Sequence, residues 1–85
     1  MDIDVAEHAL KHGLTESEIL YAWENFLRKQ HRQTPNEDVV VAVGVTQSGD
    51  LIQMVAIDKP WGTLIYHALK PPTMKVLIEL GMVRS

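Results

Sequence analysis

Between Val39 and Leu69 three apolar, β-branched runs alternate with turn residues: Val39 to Thr46, Leu51 to Ile57 and Thr63 to Leu69. Short runs rich in Val and Ile, bounded by Gly, Pro, Asp and Ser, predict strands. Gln47-Ser48-Gly49-Asp50 joins the first two as a hairpin, with glycine where a positive φ is needed. Asp58-Lys59-Pro60-Trp61-Gly62 joins the second and third, Pro60 presetting φ and Gly62 closing the turn. The expectation is a three-stranded antiparallel meander.

Helical spacing occupies the flanks. Val5, Ala6, Ala9 and Leu10 predict a short first helix that Gly13 stops, with Lys11 and His12 in its last turn complementing the macrodipole. Thr15-Glu16-Ser17-Glu18 reads as a capping box, in which hydroxyl and carboxylate reciprocally satisfy two helix-start amides. From there Ile19, Leu20, Trp23, Phe26 and Leu27 form one apolar stripe, predicting a helix to about Lys29 that lies across the sheet. Gln30 to Asp38 is polar, contains Pro35, and is expected to be a mobile loop. Pro71-Pro72 ends the third strand, Thr73 caps a last helix through Leu80, Gly81 stops it, and Met82 to Ser85 is a tail. The fold class expected is α+β in the order ααβββα, one domain over residues 1–85.

On the first strand Val39, Val41, Val43 and Val45 alternate with Val40, Ala42 and Gly44, so neither face suits water. One face takes the second helix. The other requires the remaining helices, a second copy, or another protein, because a chain this short covers a sheet on both sides with difficulty.

Composition narrows the class. With 46% hydrophobic and 22% charged residues the chain is not intrinsically disordered. Zero cysteines exclude disulfides, thiolate metal sites and cysteine catalysis. Acids at Asp2 and Asp4 do not suit a signal peptide, and no apolar run reaches membrane-spanning length, so a soluble, cytoplasmic protein with no membrane association is expected. A net charge of −3 and a pI near 5.7 argue mildly against nucleic acid, and against DNA binding by the chain alone. Against that, Arg28, Lys29, His31 and Arg32 form a local basic cluster. Ser17, Ser48 and Ser85 lie in a cap, a turn and the tail without a nucleophile elbow, and neither Gly44 nor Gly49 opens a phosphate-binding helix. His8 and His12 have the spacing of two metal ligands but lack a third, so no metal site is expected.

Several short motifs then follow one another along the chain. They are Lys11-His12-Gly13, the capping box, Ala22-Trp23-Glu24-Asn25, Val40-Ala42-Val43-Gly44, Ser48-Gly49 and His67-Ala68. In this order and spacing, over Glu7 to Glu79, the sequence resembles the BrnT-like toxins of bacterial type II toxin–antitoxin systems. The resemblance implies a RelE-like fold, metal-independent endoribonuclease activity without a cofactor, and binding to a cognate antitoxin. The chain departs from that pattern at Leu69-Lys70-Pro71-Pro72-Thr73-Met74-Lys75, where such toxins carry an arginine-rich helix start, and so resembles a divergent member.

Within that frame His67, ending the third strand near Lys70, is the candidate catalytic imidazole, and Lys70 and Lys75 would offset phosphate charge. The competing reading of His67 is a sheet-edge ring bonded to its surroundings. Arg28, Lys29 and Arg32 are candidate RNA-backbone contacts, or else a solvated basic end of the second helix. Trp61, at a turn tip, is the candidate partner-docking residue, with packing over the sheet end and stacking of an RNA base as the alternatives. Two functions follow: an endoribonuclease toxin, or a non-catalytic module that binds itself or another chain.

Overall fold

The valine-rich run is the middle of a larger sheet than expected. The structure is a computed structural model describing residues 2–33, 35 and 38–84. Its strands are β1 (Asp2–Val5), β2 (Phe26–Gln33), β3 (Asp38–Val45), β4 (Leu51–Lys59) and β5 (Gly62–Leu69). A 3₁₀ helix (Glu7–His12) and α1 (Glu16–Glu24) lie between β1 and β2, and α2 (Met74–Glu79) follows β5. The sheet order is β1-β5-β4-β3-β2, with β1 parallel to β5 and the other neighbours antiparallel. The chain is therefore α+β, and the expected meander is its central part, β3-β4-β5, widened by one strand at each edge.

Both added strands have physical causes. Asp2-Ile3-Asp4-Val5 alternates polar and apolar positions, and Ile3 and Val5 pack on the core beneath α1. Phe26 and Leu27, expected to extend the helical stripe, belong instead to β2, because α1 ends one turn earlier. Asn25 closes it, both its amide and its side chain donating to the Tyr21 carbonyl at 3.0 and 2.8 Å. Pairing with β3 then overrides helical spacing. Trp23 stays buried, whereas Phe26 and Leu27 are 45% and 50% exposed. Of the expected loop, Gln30 to Gln33 continue β2, Asp38 begins β3 and Pro35 sits in a bend; Thr34, Asn36 and Glu37 lie outside the described residues.

Local signals formed as the residues require. The Thr15–Glu18 capping box is complete, with amide-to-side-chain distances of 2.9 and 3.1 Å. Thr73 caps α2, accepting from the Val76 amide at 3.3 Å. Gly13 takes the left-handed conformation, φ 81°, at the end of the 3₁₀ helix.

The sheet has two unequal cores. On one face Val40, Ala42, Ile52, Met54, Ala56, Ile65 and Ala68 meet Ala9, Leu14, Ile19, Ala22 and Trp23. On the other, Val41 and Val43 meet Val76 and Leu80, with Leu77 and Met82 alongside. The expected tail thus contributes Met82 to this second core, held by its amide donating to the Leu77 carbonyl at 2.9 Å; Ser85 lies outside the described residues. No helix is long and apolar enough to cross a membrane, among the described residues.

At Gly44 the backbone of α1 lies directly against the sheet. A Cβ there would lie 2.0 Å from the Ala22 carbonyl oxygen, a backbone atom that cannot swing away. Gly44→Ala should therefore lower unfolding stability by about 2–3 kcal/mol or more, as forced overpacking does. Urea midpoints at unchanged slope test this, with exposed Gln47→Ala as the control.

Candidate functional site

Strand alternation sorts the basic cluster into two groups. In an antiparallel pair, residues opposite one another share a face. Lys29 and His31 stand opposite Ala42 and Val40, and so belong to the α1 face; Arg28 and Arg32 stand opposite Val43 and Val39, on the α2 face. The side chains agree. The Lys29 ammonium lies 4.3 Å from the Phe26 ring centroid and 5.1 Å from that of Trp23. Arg32 forms a two-pronged ion pair with Glu79 of α2, which raises the arginine pKa and holds the carboxyl below its usual range. The cluster is thus not the end of a helix, and the helix-dipole reading of Arg28, Lys29 and Arg32 is replaced by an edge strand.

A cleft of about 540 Å³ opens on the α1 face. Ile3, Trp23 and Val40 give it an apolar floor, and Lys29, His31 and Lys59 supply its cationic or ionisable nitrogen groups. Asp58 and Thr63 also line it, the threonine hydroxyl donating to Asp58 Oδ1 at 3.3 Å. The β4–β5 turn forms one wall through Lys59 and Gly62, and Trp61 between them is 46% exposed. Trp61 lies in that turn between two lining residues and is not itself among the residues that line the cleft.

His67 occupies a different place. Five residues beyond Gly62 on β5, it lies about 17 Å along the strand from the cleft wall. Gln53, buried at 5% exposure, organises its surroundings. The Gln53 carbonyl oxygen accepts from the Thr73 amide at 2.8 Å and the Thr73 hydroxyl at 3.1 Å. That fixes the amide orientation, so Gln53 Nε2 is the donor to His67 Nε2 at 3.0 Å. Accepting there makes His67 a neutral imidazole with its proton on Nδ1. Burial, then the nearby charges of His12 and His8, push its pKa down in agreement, and the His12 ring stands edge-on with centroids 6.0 Å apart.

The remaining candidates are dispersed. Lys70 pairs with Asp50 across 3.5 Å, half exposed on both sides, so the contact is weak. Lys75 is exposed on the first turn of α2. The structure therefore places Lys29 in one cleft with His31, read from the sequence only as part of the basic cluster, and with Lys59, which sequence reading did not single out; it puts Trp61 on the turn that forms the cleft wall and leaves His67 and Lys70 at the opposite end of β5. The missed residues had a signal: once 26–33 is a strand, alternation puts His31 with Lys29, and Lys59 flanks the exposed tryptophan turn. Among the described residues, no three His, Asp or Glu side chains gather where a metal ion would fit.

Compared with protein-family models, curated proteins and solved structures, the chain finds no match in any of the three.

The histidine environment gives a signed pH dependence. Because the folded-state pKa of His67 is depressed, the unfolded chain binds more protons between the folded and unfolded values. Stability attributable to this site is full above the unfolded value near 6.5 and is lost as pH falls toward and below the folded one. Wild type should lose more urea resistance between about pH 7.5 and 5 than His67→Gln does; parallel losses would show that His67 is not the titrating group.

Proposed function

We propose that this chain is the toxin component of a bacterial toxin–antitoxin pair and acts on single-stranded RNA through the cleft bounded by Lys29, His31 and Lys59. The observation that carries the reading is a cleft that gathers two lysines and an imidazole, with a half-exposed tryptophan on the turn that forms its wall. RNA offers a phosphate chain for the first and base faces for the last, and single strands are held by this pairing of cations with aromatic platforms. The order of BrnT-like motifs over Glu7 to Glu79 supports it from the sequence side.

The chemistry within reach is internal transesterification. A ribose 2′-oxygen forms a bond to the adjacent phosphorus, the bond from phosphorus to the 5′-oxygen breaks, a base takes the 2′-hydroxyl proton and an acid protonates the leaving oxygen. Lys29 and Lys59 would offset charge on the phosphorane, and His31 is the imidazole beside them. His67 enters this chemistry only by releasing Gln53, since its single lone pair is engaged. Asp58 sets a limit, because its carboxylate repels phosphate from that wall. The cognate partner would be an antitoxin.

A second reading is favoured by a separate observation. Arg32 is bound to Glu79 and His67 to Gln53, so one group expected to hold RNA and one expected in catalysis are engaged internally. In that reading the chain is a non-catalytic interaction module of the same descent.

Cleavage and binding separate the two. Purified wild type should bind a fluorescent single-stranded oligoribonucleotide, with Lys29→Ala and Lys59→Ala each lowering the salt slope by about 0.7, the value for one lost single-strand phosphate contact. Growth arrest on expression should be relieved by His31→Ala. Relief by His67→Ala instead, with unchanged folding, moves proton transfer to the Gln53 end; a non-toxic wild type that leaves RNA intact favours the interaction module.

A further inference from the structure

The sheet ends at β2, and that end is open. Among the described residues β2 is an edge strand paired with β3 alone, and Phe26 through His31 are exposed at every position. About half the backbone amides and carbonyls of a strand point away from a single neighbour, so the outer side of β2 offers an unpaired ladder.

Its side chains restrict what can pair there. Arg28, Lys29, His31 and Arg32 stand within one strand that contains no acid, while Phe26 and Leu27 present large half-exposed apolar groups at its start. Two copies joined through β2 would set arginine and lysine against like charge across the ladder, which is destabilising. The other edge, β1, carries Asp2 and Asp4 and has the opposite sign, but it spans four residues against the eight of β2, so a second copy could pair with only part of that edge. The charge that keeps copies of β2 apart therefore selects a different strand of opposite sign.

We propose that β2 receives an extended, acidic segment of another protein as a sixth strand of this sheet. Its Asp or Glu residues would lie on the α2 face beside Arg28, and its apolar residues on the α1 face beside Phe26. Main-chain bonding supplies the grip and the alternating side chains the choice of partner, as in other cases of strand addition. The inference does not rest on the RNA reading, and its peptide titration contains no RNA.

The probe is a fluorescein-labelled nine-residue peptide of alternating Val and Glu, titrated with the full chain at low and moderate salt and read by anisotropy. A Val/Lys peptide and a version N-methylated at every second amide are the controls. The expected result is saturable binding of the Val/Glu peptide, with both controls at least about tenfold weaker, as the loss of two or more net hydrogen bonds implies for the methylated one. Arg28→Glu should weaken binding similarly, and Gln30→Glu, at another exposed position, repeats the test if the first variant has a lowered urea midpoint. Equal binding of the methylated peptide overturns the proposal in favour of bare charge attraction, and absence of binding overturns it outright. So does salt-sensitive self-association in sedimentation that Asp2→Lys abolishes, which would assign the edge to a second copy. Single-stranded RNA that binds and is lost with Arg28→Glu, in the absence of peptide binding, would assign it to nucleic acid.

Discussion

The contact between the Ala22 backbone and the bare Cα of Gly44 organises the whole arrangement. With no side chain at Gly44, α1 sinks until its own carbonyl rests on β3. Four residues on from Ala22, Phe26 is already paired with that same Gly44, and the Val45 amide donates to the Asn25 carbonyl at 3.4 Å. The chain turns from helix to edge strand about a single point.

This geometry also decides which charged groups can cooperate. Reversing the chain at Asn25 lays the basic cluster along a strand, so its members alternate between two faces instead of gathering at a helix end. Lys29 and His31 come to the cleft, Arg32 goes to Glu79, and Arg28 is left at the edge. The Glu79 carboxylate ties the last helix to the edge strand that Gly44 creates. At the far end of β5, Gln53 ties the cap of that helix to His67. Both ends of α2 are thus anchored to the sheet by polar contacts, which a helix of six residues needs, since isolated helices of that length are unstable in water.

What the sequence made legible was local and periodic: the capping box, the glycine stop at Gly13, the Thr73 cap and three adjacent strands from Val39 to Leu69. Each depends on residues within a few positions of one another. Two edge strands were not legible, for different reasons. Ile3 and Val5 are too few to distinguish a strand from the start of a helix. Phe26 and Leu27 continue a genuine helical stripe and become strand residues only because β3 lies alongside, a fact of tertiary structure. The candidate site suffered from the same cause. Lys29 and Trp61 were recognised by residue type, but His31 and Lys59 join them only when the strand assignment is known, and nothing local links Gln53 to His67 across fourteen positions.

Overall charge is a poor guide to what such a surface binds. The net charge of −3 describes the whole chain, yet charges beyond a Debye length of about 8 Å are largely screened at physiological salt. The principal extents are 33, 28 and 21 Å, and β1 and β2 are four strand spacings apart, about 19 Å. Asp2 and Asp4 therefore barely influence an anion approaching β2, which meets Arg28, Lys29 and His31 as a locally basic surface. The acidic pI is an average over the whole chain, whereas an anionic ligand at β2 would meet the charges of that one edge.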